Sequence, residues 1–369
     1  MVQIVRVTGW RDKREFVEFP YRLYRHDSFW VPPLRIQQRR MFDTHRHPFY
    51  REAEMERFLA VRQGRTVGRI AAILDHRYIR HRQEQAGWFG FLETVDDVET
   101  AAALVSAASD WLVRRGIRLM RGPMNPSTNY ECAMLVEGFD SPPYVMMPYN
   151  PPYYPRLMEG LGLRKAKDLY AYHTTATEIN VAQAERVAEY ASARGVRVRP
   201  VRLKEIKAEI ERFFQVYNSA WNNNWGFVPM SRAEMEYLAE EIKPVLDPNL
   251  ALLAEVGEKV AGCALALPDI NQALRHARGR LFPLGLFKIL YHRRRIRRMR
   301  VVILGVLEEF RAAGVAAALY AALFRHGLRA GYREGEFSWI LEDNVMMNRS
   351  LEALGARRYK TYRIYEWKG

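Results

Sequence analysis

The segment LEEFRAAGVAAAL, Leu307 to Leu319, follows the apolar run VVILGV. Arg311, Gly314 and Ala316 form an R-x-x-G-x-A pattern at the point where strand character gives way to an alanine-rich helix. A glycine and small residues let successive backbone N–H groups approach an anion, and the positive end of the helix dipole favours that charge. Leu307, Arg311, Ala312, Ala313, Gly314, Val315 and Ala316 are therefore the candidate cradle for a diphosphate, with Arg311 as its cationic donor. The pattern alone is common at helix starts, and its position between strand and helix is what makes it informative.

A second group of residues suits proton transfer. Glu342 and Asp343 follow FSWIL, which places them at the carboxyl end of a central strand, where open sheets hold ligands. Glu342 is the first candidate base, with Asp343, Glu308 and Glu309 as further candidates. The plainer alternatives are a helix cap for Asp343 and a solvated turn for Glu309. Tyr359, Tyr362 and Tyr365 lie in the last strand; Tyr359 is the candidate acid, and the alternative is a half-buried sheet residue. Two proline-stiffened loops offer Asn125, Asn129, Tyr149 and Asn150, and NSAWNNNWGFVPM offers Trp221, Asn224 and Trp225. These are candidate acceptor contacts, or ordinary packed connections.

Positioning such groups takes a scaffold, and the chain contains one twice. RLMEGLGLRKAKDLYAY from Arg156 matches RSLEALGARRYKTYRIY from Arg349 without a gap, at an offset of 193 residues. Each copy reads as an amphipathic helix, a glycine stop and a tyrosine-rich strand. Upstream, each half carries a hairpin, FLAVRQGRTVGRIAAIL or LALLAEVGEKVAGCALAL, then an apolar strand and an alanine-rich helix. The pattern predicts a mixed α/β (α+β) sheet in each of two tandem domains, 1–180 and 181–369, with an insertion at 270–300 in the second.

The order of elements and the R-x-x-G-x-A turn resemble the GNAT superfamily of N-acyltransferases over most of residues 200–369. That resemblance implies an acyl-CoA co-substrate, its pyrophosphate held by the turn, and it implies that Asn344 corresponds to the family's asparagine after the fifth strand. Where the superfamily often has a tyrosine that protonates the thiolate, this chain has Leu351. The first half resembles a second GNAT domain, but its turn reads ETVDDVETAAAL. Asp96, Asp97 and Glu99 there repel a diphosphate, which leaves this domain an acceptor-side or purely structural role. RGPMN, FDSPP and MMPYNPPYY, in the tandem layout, resemble a bacterial family that includes bacterial ceramide synthases, which implies a lipid amine such as a sphingoid base as acceptor.

Composition bounds the partners. With 27% charged and 49% hydrophobic residues the chain reads as globular, and its net charge of +15, pI near 9.8, calls for an anionic partner. Cys132 and Cys263 stand far apart, which suits a reducing cytosol and direct attack by the amine without a covalent intermediate. The N-terminal residues lack the apolar core of a signal peptide. His45 and His47 have no companion ligands, so they read as a polar loop and no metal is expected. The stretch LFPLGLFKILYHRRRIRRMR, Leu281 to Arg300, joins apolar residues including Phe282 and Phe287 to a block including Arg293, Arg294, Arg297, Arg298 and Arg300. Such a join predicts an interfacial segment on an anionic membrane in preference to nucleic acid, and hence a protein peripheral at the inner face of the cytoplasmic membrane. The alternative is packing on the first domain with the arginines in water. Three functions follow: a long-chain N-acyltransferase using acyl-CoA or an acyl-carrier protein, a soluble acetyl-CoA-dependent acetyltransferase of a small amine or peptide, or a non-catalytic scaffold.

Overall fold

The computed structural model describes residues 1–368, which divide into two units. Unit 1 comprises residues 1–169, 274–290 and 360 onward; unit 2 comprises 170–273 and 291–359. The sequence-derived boundary at 180/181 thus falls inside unit 2, and most of the expected insertion groups with unit 1.

In unit 1 the hairpin strands Ala53–Arg62 and Arg65–Asp75 pair antiparallel, flanked by Gln3–Arg6 on one side and Ala86–Thr94 on the other. Ala86–Thr94 runs parallel to Leu119–Gly122, which pairs antiparallel with the end of the last strand, Tyr365 to Lys368. The alanine-rich helix Val98–Val113 buries Ala101, Leu104, Val105, Ala108 and Leu112 on this sheet, the i, i+3, i+4, i+7 stripe that a one-sided helix requires. Each fully buried leucine there contributes about 1.5–3 kcal/mol. Tyr365 closes this core, its hydroxyl bonded to Glu159 at 3.0 Å.

Unit 2 repeats the plan. Val196–Pro200, Ala251–Val256, Lys259–Pro268 and Arg298–Val306 form an antiparallel series, and Arg298–Val306 runs parallel to Glu334–Leu341. Helix Val315–Arg329 covers one face through Val315, Leu319, Ala322 and Leu323, against Met299, Val301 and Phe337. Helix Ile206–Ala220 covers the other, with Val216 against Leu253 and Cys263. Burial pushes the Cys263 thiol up, so it stays neutral and unreactive. The paired helix–strand motifs appear as Tyr153–Gly160 with Arg164–Thr175, and Val345–Ala353 with Arg357–Lys368.

Three expectations need correction. His47 is buried, its Nδ1 accepting from the Phe49 amide at 3.3 Å beside the ring of Tyr50, so it belongs to packing and not to a polar loop. Arg298 and Arg300 are strand residues: the strand begins at Arg298, and Arg300 is fully buried. Within the apolar stretch, Leu281 and Ile289 are half-buried and not left in water, and residues 285–293 form a helix.

Candidate active site

The parallel strands of unit 2 pair only along Arg298↔Glu334 to Val301↔Phe337. Among the described residues no pairing joins 302–306 to 338–341, so the carboxyl ends of the two strands, where a wedge would open, are not zipped together. At one end stands the candidate diphosphate turn. Glu308–Ala313 form a six-residue 3-10 helix, Gly314 adopts φ +79°, and helix Val315–Arg329 begins there without a capping side chain. The left-handed conformation is natural only to glycine. The first turn has no capping side chain, Val315 within it is fully buried, and Arg311 is exposed with no ion-pair partner among the described residues. The exposed Ala312 and half-buried Ala313 and Ala316 set no bulky side chain against the turn. Leu307 differs from expectation: its amide donates to Ala261 and its side chain packs inward, so its backbone N–H is not available to an anion.

Unit 1 fills the same place with its own groups. Asp97 caps helix Val98–Val113 by accepting from the Thr100 amide at 2.8 Å, while Arg62 binds Asp97 at 2.6 Å and Glu99 at 2.9 Å. The Thr100 bonds, with Arg62, hold the Asp97 carboxyl below the usual range. Nearby, Glu93 is enclosed by Tyr24, Tyr154 and Arg69, and desolvation raises its carboxyl above the usual range.

Other candidates sort by unit. Asn344 caps helix Val345–Ala353, its Oδ1 accepting from the Met347 amide at 3.2 Å. The cap suggested for Asp343 is therefore made by the next residue; Glu342 is half-buried and Asp343 exposed in the turn before it. Leu351 is fully buried in the core of unit 2. Trp221 ends helix Ile206–Ala220 and lies on Gly305, where an added Cβ would come within 2.3 Å of the indole; Asn224 sits half-buried in the turn that follows. Asn125 and Tyr149 belong to unit 1 and have local partners: Asn125 accepts from the Phe91 amide at 2.6 Å, and Tyr149 donates to Asp27 at 2.6 Å. The Asn129 amide donates to the Ser127 hydroxyl at 3.2 Å. Asn150 is buried, bonded to both backbone groups of Leu135.

Sequence reasoning missed the polar cluster where the wedge begins. The Tyr359 hydroxyl donates to Glu336, which is fully buried. Ser338 donates to the other oxygen of Glu336 at 2.6 Å, and Arg300 Nε donates to Ser338 at 2.8 Å, its guanidinium 3.6 Å from Glu336. Beside it, Arg298 and His173 both approach Glu334, at 2.8 and 3.4 Å, and the His173 ring lies 5.5 Å from that of Tyr359. The indole N–H of Trp339, its ring 5.1 Å from the Arg300 guanidinium, is buried without an acceptor among the described residues. The signal was the alternation of EGEFSW, which sets Glu334, Glu336 and Ser338 on one face of a central strand.

Comparison with known proteins now decides the family. The chain is 33% identical to bacterial ceramide synthase of Caulobacter vibrioides strain NA1000 / CB15N over 372 residues, covering 99% of this chain and 97% of the relative. The chain belongs to that family. It is also 32% identical to Protein YghO of Escherichia coli K12, over 96% of this chain and 92% of the relative. Among solved structures, a tandem GNAT protein from the clavulanic acid biosynthesis pathway superposes with a TM-score of 0.60 at 11% identity, over 100% of this chain and 98% of that one. A GCN5-related N-acetyltransferase from Sphaerobacter thermophilus gives 0.55 at 14% identity, over 100% and 95%. No family model matches the sequence. The protein is thus an N-acyltransferase with a tandem GNAT fold.

Proposed function

We propose that the protein transfers a long acyl chain from acyl-CoA, or from an acyl-carrier protein, to the primary amine of a lipid such as a sphingoid base. The observation that carries the reading is full-length similarity to a protein named bacterial ceramide synthase, in a chain whose unit 2 retains an uncapped glycine turn at a helix start. That turn fits a diphosphate: Gly314 and the first-turn amides of Val315 and Ala316 would hold it, Arg311 would add charge, and Ala312 and Ala313 leave room. Asn344, committed to its cap, would orient the helix flanking the donor. Among these residues the donor supplies a thioester, the electrophile for the amine.

The remaining chemistry falls to residues of unit 2. A primary amine is protonated at neutral pH and must lose a proton before it can attack. The ammonium sheds that first proton to solvent, and we assign the second to the Tyr359–Glu336 pair: Tyr359 takes it from the amine as the C–N bond forms while passing its own to Glu336, and the pair returns one proton to the departing sulfur as the C–S bond breaks. Ser338 and Arg300 hold Glu336 in place as positioning residues. Trp339 offers the thioester oxygen its indole N–H. Glu342 and Asp343, at the far end of the strand about 20 Å from Glu336 by strand rise, are assigned to the turn end. Trp221 and Asn224 line the wedge for the acceptor, and the loops of Asn125, Asn129 and Tyr149 give unit 1 its acceptor-side role. We further propose that the protein works at the inner face of the cytoplasmic membrane, touching anionic lipid through Phe282, Phe287, Arg293, Arg294 and Arg297. Among the described residues no helix is long and apolar enough to cross a membrane.

Turnover with palmitoyl-CoA and a long-chain amine base tests the reading. Amide formation that favours these over acetyl-CoA and a short amine is expected; acetyl transfer alone would replace it with the soluble acetyltransferase, and binding without turnover would leave a scaffold.

A further inference from the structure

Residues 279–290 do not lie free. The Arg35 amide donates to the Gly279 carbonyl at 3.1 Å, and Arg35 Nη1 donates to Arg278 O at 3.1 Å, tying the segment to helices Trp10–Leu23 and Arg35–Met41 of unit 1. Gly279 takes φ +74° there, where a Cβ would meet Tyr21 at 2.5 Å. Along this junction run two adjoining cavities of about 390 and 620 Å³, both lined by Arg14, Glu18, Arg35 and Arg280.

The charges of this groove are not balanced. Its two carboxylates are taken, Glu18 by Arg35 at 2.9 Å and Glu15 by Arg22. Arg14, Arg39 and Arg280 are exposed and have no acidic partner among the described residues. Apolar side chains that water covers poorly share the lining, Trp10 at 68% exposed, Phe282 at 78% and Ile36, and the helix that follows Phe282 in sequence exposes Phe287 (70%) and Leu290. Trp10 lines one cavity and Ile36 and Phe282 the other, so the apolar rim and the arginines share one face.

We infer that this face of unit 1 is the bilayer contact, with the phosphate of an anionic phospholipid seated among Arg14, Arg39 and Arg280 while Trp10, Ile36, Phe282 and Phe287 enter the interface. The inference deepens the membrane part of the proposed function, rests on that reading, and moves the electrostatic anchor from the arginine run 293–297 to the groove. Arginine forks suit phosphate oxygens, and aromatic side chains suit the headgroup boundary. A second copy of the chain fits less well, because a two-fold contact through this face would set the unpaired arginines against each other.

Co-sedimentation of the full-length protein with vesicles of phosphatidylcholine, with and without phosphatidylglycerol, tests this. The combined variant Arg14→Gln, Arg39→Gln, Arg280→Gln should lose about a hundredfold in partitioning to the anionic vesicles, since each basic residue near the surface contributes about 1 kcal/mol. Arg293→Gln, Arg294→Gln, Arg297→Gln should lose less. All six positions are exposed, and a thermal melt confirms that each variant folds. Unchanged partitioning of the groove variant, or equal loss on neutral vesicles, would overturn the phosphate site. Self-association by light scattering that Phe282→Ser abolishes would give the face to a second copy, and retention of an acidic carrier protein in place of vesicles would give it to that partner. Wild-type protein that binds vesicles but forms no amide would leave the docking face standing and remove the lipid-acylation reading.

Discussion

The hydroxyl of Tyr359 donates to the carboxylate of Glu336, a side chain with no solvent exposure that is also held by Ser338. The contact sets a hydroxyl proton directly against a carboxylate held in place, the geometry on which the proposed proton relay rests.

Tyr359→Phe should therefore lower kcat by about 10²–10⁴-fold while donor affinity is preserved, and Glu336→Gln should do likewise. Steady-state turnover with calorimetric titration of the donor separates the two effects. Full activity in Tyr359→Phe, with a large loss in Glu342→Gln, would return the base to the far end of the strand.

At the turn, Gly314→Asp should abolish donor binding and leave the fold intact apart from left-handed strain of about 1–2 kcal/mol, whereas Arg311→Gln should weaken binding without strain. Acyl-CoA affinity in Gly314→Asp equal to wild type would remove the diphosphate assignment.

Leu351, at the position where the superfamily resemblance implies a tyrosine, is fully buried in the core. Restoring a tyrosine should lower the melting temperature through overpacking, about 1–3 kcal/mol, and give no gain in turnover. Leu351→Ala should cost about 2–5 kcal/mol. A faster Leu351→Tyr enzyme would show that the position reaches the substrate.

Asp168 is bound by Arg363 through two bonds, 2.8 and 3.1 Å, within unit 1. Burial raises this carboxyl, but Arg363 and Lys165 outweigh it and the net position is below the usual range. A group lowered in the folded state stabilises above its unfolded pKa, about 4, and that contribution is lost as pH falls through the folded value. Asp168→Asn should cost on the order of 2 kcal/mol at neutral pH, with the gap to wild type closing below pH about 4, as denaturant melts across pH would show.

The repeat, the hairpins and the glycine turn were legible because each is local: helix and strand periods, and a glycine followed by small residues, are written in consecutive letters. The helix start at Asn344 is local in the same way. Arg300 was misread because a run of arginines looks solvated until its strand partner supplies Glu336, 36 residues away in sequence. Glu336 itself escaped notice because the tyrosine it receives lies in another strand. Trp10 and Ile36 could not be joined to Phe282 by spacing; contacts far apart in sequence, Arg35 with Arg278 and Gly279, bring them to one groove.

The division of the chain also bears on its birth. Unit 1 begins at the first residue yet needs residues from 360 onward, which follow Leu169 by about 190 positions. At a synthesis rate of about 5–20 residues per second, its sheet waits on the order of 10–40 s for that closing strand. A gene cut at the midpoint of the repeat would give a first fragment without the edge that Leu119–Gly122 requires and without the segment that seats on Arg35, so the halves are separable in sequence and not in manufacture.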